Sequence, residues 1–305
     1  MNRCRLPILI KLSATALILA ILLARVEPSK IIRALTEMDR AFLVAAVLLL
    51  IPNLAVQGAK WRYMVRSIKP TVTLREVWSS LLVGFSFGLI TPGRVGEVAR
   101  GLCIRNESRA KIAGLTIIDR VSSLLVTGAA CILGFALVYP HVGLALGVIF
   151  IGVVASGRLR TRELKEKLNR IASKLPFNIG DKASKLIDSL DCLSGSRVSW
   201  VFSWSVLFNG VFLAQFYLLV RSFCPVSWKV LAVMPSIFLA KALLPITLAD
   251  IGVRESLSVL VFSKVGVAEV YAFNAAFLLF LINVLFPALL GLCFIPSIRL
   301  IGRTP

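Results

Sequence analysis

Histidine is almost missing from this sequence: the only one is His141, in a short turn between two apolar stretches, so a histidine-based metal or nucleophilic site is excluded by inventory. Acidic residues are scarce as well, 15 Asp and Glu against 35 Lys and Arg, and charged residues together make up only 16% of the 305 positions. An ordinary globular chain is about a quarter charged. The six cysteines show no C-x-x-C spacing and lie mostly in or beside apolar runs, so they read as small apolar fillers, neither a disulfide framework nor a metal site. No Walker A string is present, which leaves an ion gradient, a partner or the lipid gradient itself as sources of energy for any transport. No cofactor is implied.

In place of charge the sequence has hydrophobic residues at 58% and a mean hydropathy of +0.87. Crossing about 30 Å of hydrocarbon takes about 20 apolar residues. Residues 6–24, 41–59, 113–138, 142–156, 199–220 and 271–295 read as spans, with 142–156 short and antiparallel to its neighbour. The amino terminus, Arg3 and Arg5 ahead of residues 6–24, resembles a signal sequence; Lys11 and the lack of an A-x-A site favour an uncleaved first span. The expected fold class is all-α, a polytopic membrane helical bundle. The net charge of +20 sits between the apolar segments, the pattern of positive-inside topology and lipid headgroup contact, so nucleic acid is not an expected partner.

Two regions depart from simple spans. Residues 77–91 make only about 22 Å of helix and end in Thr91, Pro92 and Gly93 instead of a charged loop. Residues 230–249 are expected to be broken by Pro235, Lys241 and Pro245, and the apolar stretch 256–263 after them is too short to cross. The positive-inside rule must hold for all short loops together. A complete crossing at 77–91 would put Lys60, Arg62, Arg66, Lys69 and Arg75 on the side opposite the ten Lys and Arg of residues 157–197. A re-entrant hairpin at 77–103 puts both groups in the cytoplasm with the amino terminus, and the carboxyl terminus joins them once 230–263 is treated alike. The same treatment makes 230–263 a hairpin from the outside. Two such hairpins, one from each face, are the signature of an inverted repeat with a site near the midplane. The domain expectation is a first membrane half 1–156, a basic cytoplasmic connector 157–198 and a second half 199–305. Leu164, Leu168, Ile171 and Leu175 give the connector either an amphipathic helix on the lipid surface or a solvated link.

Each hairpin carries a proline, a small residue, then an acid and a base: Pro92, Gly93, Arg94, Gly96, Glu97 and Arg100 in the first, Pro245, Asp250, Gly252, Arg254 and Glu255 in the second. Asp119 and Arg120 add a charged pair inside an apolar span. Leaving Glu97, Arg100, Arg254 and Glu255 unpaired in lipid would cost on the order of 10 kcal/mol, so they pair, line a wet cavity, or both. Glu97 and Arg100, at i and i+3, are placed to pair locally. Structural ion pairs tying hairpin to bundle are the plainer reading. Asn53, Gln57, Asn209, Gln215, Asn274 and Asn283 read as interhelical hydrogen-bonding groups.

The two strings, T-P-G-R-V-G-E-x-x-R and L-P-x-x-x-x-x-x-G-V-R-E, resemble those of the lysylphosphatidylglycerol synthase transmembrane-region family, also called flippase-like domain proteins. The resemblance runs over nearly the whole sequence. It implies the membrane region alone, without the cytosolic aminoacyl-transfer domain of the large members, and a role in moving or handling a polar-headed phospho- or glycolipid in the cell membrane. Carried over, the motif positions are Pro92, Gly93, Arg94, Gly96, Glu97 and Arg100, then Pro245, Gly252, Arg254 and Glu255. Ala249 and Asp250 stand where a Gly-Gly is usual, which adds an acid and puts close backbone packing there in question. The expected ligand is an anionic or lipid-linked membrane lipid, since the arginine fork suits phosphate. Two other readings stay open: a non-catalytic membrane partner of a glycosyltransferase or lipid-modifying enzyme, docking through the basic connector, and a membrane-embedded enzyme with Glu97 or Asp250 as base. The missing histidine and the lack of paired carboxylates weigh against the last.

Overall fold

The structure is a computed structural model that describes residues 28–91, 93–152, 196–244, 247 and 250–295. The first expected span at 6–24, Pro92, most of the basic connector, Pro245 and the carboxyl-terminal residues from 296 onward lie outside these. Every regular element among the described residues is helical. In chain order they are α1 (Pro28–Glu37), α2 (Arg40–Leu48), α3 (Leu50–Val65), α4 (Leu74–Leu89), a 3-10 helix (Val95–Leu102), α5 (Arg109–Val138), α6 (Pro140–Gly152), α7 (Ser196–Arg221), α8 (Trp228–Leu243), α9 (Val253–Ser263), α10 (Glu269–Phe280), a π turn (Leu281–Leu285) and α11 (Phe286–Leu292).

Among the described residues, four helical stretches are long and apolar enough to cross a membrane: Arg40–Val65, Arg109–Val138, Arg197–Arg221 and Glu269–Leu292. Their outer faces expose large side chains such as Ile51, Leu133, Val206 and Leu289, whose contact with water would be costly and whose contact with lipid tails is not. The chain is a helical bundle of a multi-pass membrane protein. α6 folds back along α5 after a single non-helical residue, Tyr139, and Gly143 lies so close that a β-carbon there would stand 2.3 Å from the Ala136 backbone. His141 therefore sits in the exposed first turn of α6 and not in a connecting turn.

The first hairpin is a short helix, a break and a shorter helix. Thr73 caps α4 through a capping box with Glu76, and the helix runs 16 residues, about 24 Å, before it stops at Ile90. The chain then reverses through Gly93 and Arg94, both with positive φ (57° and 56°), and returns as the 3-10 helix packed along α4. Its base is closed on one side of the bundle: Lys69 Nζ donates to Arg105 O (3.1 Å) and the Arg105 amide to Glu76 Oε1 (3.3 Å). Chain that enters beside Lys69 thus leaves beside Arg105.

The second hairpin enters from the other end. α8 runs unbroken through Pro235 and Lys241 to Leu243, so neither is the expected breaker. A proline inside a helix removes one backbone hydrogen bond, a local loss that surrounding packing tolerates here, where Pro235 is buried. The break follows Leu243, and the chain restarts as α9 from Gly252 at φ 85°. Ala232 on α8 touches Gly134 near the far end of α5, and Val265 and Val267 after α9 pack with Phe223, Cys224, Val226 and Val230 before and within α8. Both ends of this hairpin therefore lie at the end away from Arg109.

Two large hydrophobic cores result among the described residues, with a small third cluster at Phe280 and Val284. One, around Trp61, Met64, Leu81, Ile112 and Leu115, holds the first hairpin; the other, around Phe216, Met234, Ile237, Phe262 and Leu279, holds the second. The charged tips of the two hairpins meet between them.

Candidate functional site

The 3-10 helix decides the layout of the first charged string. With three residues per turn, side chains at i and i+3 eclipse. Arg94, Glu97 and Arg100 therefore form one column along one face. Glu97 Oε1 accepts from Arg94 (2.8 Å) and Glu97 Oε2 from Arg100 (3.2 Å), so the single carboxylate is held between two guanidiniums of its own helix. The close packing this requires comes from glycine. A β-carbon on Gly84 would stand 2.7 Å from Arg100 Cγ, one on Gly88 3.1 Å from Glu97 Cγ, and one on Gly96 2.2 Å from the Phe87 carbonyl oxygen. The Gly96 amide donates to Thr91 Oγ1 (2.7 Å), which fixes the turn at the tip.

α5 supplies the next pair. Consecutive helical residues point about 100° apart, so Asp119 and Arg120 do not pair with each other as a local reading has it; each takes a separate partner. Asp119 accepts from Arg100 (2.9 Å) and from Lys60 on α3 (2.7 Å). Arg120 reaches Glu97 (3.1 Å) and donates to the tip carbonyls of Gly93 (2.9 Å) and Arg94 (2.7 Å), latching the hairpin to the spanning helix.

In the second hairpin, Lys241 near the end of α8 pairs with Asp250 (3.0 Å), and Arg254 donates to Glu255. Glu255 also accepts from the Gly252 amide (2.7 Å), capping α9. Asp250 holds φ 60°, the left-handed conformation that glycine adopts most readily and that a short polar side chain tolerates. Four of the cavity cations also rest on an aromatic ring: Arg94 over Phe85 (5.2 Å), Arg100 over Trp61 (4.9 Å), Arg254 over Phe280 (5.2 Å) and Lys241 over Phe238 (6.0 Å).

These groups surround one cavity of about 390 Å³ between the two cores. Its wall includes Gly93, Arg94, Glu97, Arg100, Asp119, Arg120, Asp250 and Arg254, so the expected charged residues converge, with Glu255 just behind Arg254. Pro92 and Pro245 lie outside the described residues, while Gly96 and Gly252 shape backbone at the tips. Six cations (Lys60, Arg94, Arg100, Arg120, Lys241 and Arg254) stand against four carboxylates (Glu97, Asp119, Asp250 and Glu255), a surplus of two positive charges. The arrangement holds buried charge in pairs and leaves guanidinium capacity over: the Nε atoms of Arg94 and Arg100 are buried without a partner.

Lys241, on the cavity wall, and Lys60, buried behind it against Asp119, are the charged residues a local reading misses. Lys60 looks like the first charge of a cytoplasmic loop, but α3 continues to Val65 and buries it. The signal was a polar stripe at i, i+4 and i+7, Asn53, Gln57 and Lys60, on a helix whose other faces are apolar. Gln215, Asn274 and Asn209 do make interhelical bonds, to Ala46 O (2.8 Å), Ile31 O (3.1 Å) and Thr127 (2.8 Å).

Comparison with known families decides the lineage. The family model described as "Lysylphosphatidylglycerol synthase TM region" matches residues 8–291. The chain belongs to this family. Among curated relatives, this chain is similar to "Glycosyltransferase AglD" of Haloferax volcanii, 24% identical over 159 residues. That match covers 51% of this chain and 23% of the relative, so the shared part is about a quarter of the relative's length.

Proposed function

We propose that this membrane region moves, or helps to move, a lipid with a phosphate-bearing headgroup across the bilayer through the cavity between the two hairpins. The observation that carries the reading is the meeting of two interrupted helical hairpins, from opposite ends of the bundle, at a buried cavity with more cations than carboxylates. Interrupted helices that meet at mid-depth are how many transporters build a site, and irregular backbone there is tolerated only beside protein or a polar cavity. An arginine offers phosphate two parallel hydrogen bonds, and the Arg94 and Arg120 side chains are the least enclosed of the arginines lining the cavity. Orientation follows from charge: the end bearing Arg62, Arg66, Lys69, Arg75, Arg105 and Arg109 faces the cytoplasm.

Reconstitution tests this. Purified protein in liposomes carrying headgroup-labelled anionic lipid is expected to speed the exchange of label between leaflets, read by an impermeant quencher. Arg120→Ala is expected to slow it while the protein still inserts. Equal rates in protein-containing and empty liposomes would overturn the reading.

A second reading is supported by the relative's name: a segment like half of this chain forms part of a glycosyltransferase, so the region could serve as the membrane partner of such an enzyme. A new glycosylated lipid formed only when the enzyme and this chain are reconstituted together, without label exchange, would favour it.

A further inference from the structure

We infer that the cavity has two chemically distinct walls and that its ligand is a phosphodiester lipid whose headgroup is uncharged and hydroxylated, a sugar or a polyol, in preference to an amine or aminoacyl headgroup. This rests on the reading that a phosphate-bearing lipid enters the cavity. Besides the charged hairpin tips, the cavity is lined by neutral polar groups from the spanning helices: Asn53 and Gln57 of α3, Ser123 and Thr127 of α5, Asn209 of α7, and Asn283.

Two of these amides are held so that one hydrogen-bonding atom is left over. Asn53 Oδ1 accepts from Gln57 Nε2 (2.6 Å), and the Asn53 Nδ2 donor is buried with no partner. Asn283 Nδ2 donates to Gln215 Oε1 (2.9 Å), while Gln215 itself donates to Ala46 O, and the Asn283 Oδ1 acceptor is buried with no partner. The relay through Gln215 fixes which end of Asn283 is free. Asn283 also sits in the π turn Leu281–Leu285, an insertion that interrupts an otherwise regular spanning helix at the cavity. Such turns are costly and occur often where a side chain must be presented to a site.

One spare donor and one spare acceptor among the residues lining the same cavity match hydroxyls, which both donate and accept. An ammonium only donates, and it would bring a third positive charge to a cavity that already has two in surplus. The phosphate belongs against Arg94 and Arg120, and the hydroxylated part against the amides. Phe208, Phe212 and Phe238, also on the wall, offer flat apolar surface for the C–H faces of a sugar ring or for the start of an acyl chain. At about 390 Å³ the space lies within the range of small-molecule sites, roughly 300–1,000 Å³.

The test is competitive lipid binding to the purified full chain, read by native mass spectrometry with four lipids of identical acyl chains: phosphatidic acid, phosphatidylethanolamine, phosphatidylglycerol and phosphatidylinositol. The two hydroxylated lipids are expected to bind about fivefold or more tightly than the other two, the worth of one net hydrogen bond. Equal binding of phosphatidic acid and the hydroxylated lipids, or a preference for phosphatidylethanolamine, overturns this inference and leaves the phosphate-lipid reading standing. Binding of none above a diacylglycerol control removes both. Asn283→Ala is expected to erase the preference while phosphatidic acid binds as before, which also reports an intact fold; loss of both assigns the amide to packing and overturns the inference. Gln57→Leu, at a partly exposed position, carries the same expectation where Asn283→Ala does not accumulate.

Discussion

Arg94 and Asp250 stand at the tips of the two hairpins, each a non-glycine residue in the left-handed region (φ 56° and 60°), and they face one cavity with opposite charges. A left-handed residue that is not glycine costs of order 1–3 kcal/mol and persists only where the surroundings hold it. At Arg94 the hold is visible: its guanidinium binds Glu97, and its carbonyl accepts from Arg120. At Asp250 it is the ion pair with Lys241.

Asp250→Gly therefore separates two effects of opposite sign. Glycine relieves the backbone, yet it strands Lys241 as a partly buried cation, and breaking even a fully buried pair costs about 3–5 kcal/mol, the upper bound here. The variant is expected to unfold at lower temperature in detergent despite its better backbone fit. Adding Lys241→Met removes the stranded charge, and the double variant is expected to match or exceed the parent. Thermal unfolding of the three proteins decides it; a single variant as stable as the parent would show that the pair does not hold the tip.

What the sequence made legible was whatever local spacing encodes. Thr91-Pro-Gly followed by charge marks a helix stop, and the loop charges require a return to the same side, so the first hairpin follows from arithmetic on Lys and Arg. Glu97 and Arg100 at i, i+3 also follow, although the restart is a 3-10 helix, which draws Arg94 into the same column. Pairing between helices is not encoded this way. Lys60 meets Asp119 across 59 positions, and nothing near either residue names the other. Lys241 looks like a helix breaker in the sequence because its partner, Asp250, lies beyond the break. Gly84 is invisible for the same reason: its purpose is the Arg100 side chain of the returning strand of the hairpin, 16 positions on.

The Lys60 contact makes a direct prediction. Lys60→Met leaves Asp119 with Arg100, so the loss is expected to be smaller than for an orphaned buried carboxylate. Asp119→Leu leaves Lys60 with the Ser122 and Ser123 hydroxyls. Because the two side chains touch, a double-mutant cycle on unfolding free energy is expected to give a coupling of about 1–3 kcal/mol. Additive effects within about 0.5 kcal/mol would mean the two do not interact.

Glycine positions divide cleanly by what surrounds them. A β-carbon at Gly96 would fall 2.2 Å from a backbone oxygen of α4, and neither segment can give way without opening the hairpin. Gly210, on α7, has nothing within 4 Å. Gly96→Ala is expected to destabilise by more than the about 1–3 kcal/mol typical of overpacking, since backbone and not a side chain must move. Gly210→Ala is expected to stabilise slightly, by about 0.5–1 kcal/mol, because alanine is the better helix former. Similar losses at both positions would contradict the close packing of the 3-10 helix on α4.

The re-entrant path of the first hairpin can be tested without any assay of function. Thr71 and Arg105 flank the hairpin and line one polar pocket at its base, whereas Lys264 follows α9 at the opposite end of the bundle. In a cysteine-free background, single cysteines at 71 and 105 are expected to react with an impermeant maleimide from the same side of sealed membrane vesicles, and a cysteine at 264 only from the other. With the basic end in the cytoplasm, 71 and 105 label in inside-out vesicles. A full crossing by α4 would instead place 71 and 105 on opposite sides. The 16 residues of α4, about 24 Å, fall short of the roughly 30 Å of hydrocarbon, and the Lys69 bond to the Arg105 carbonyl could not then form. Opposite-side labelling would break the base of the hairpin and, with it, the column of Arg94, Glu97 and Arg100 on which the cavity depends.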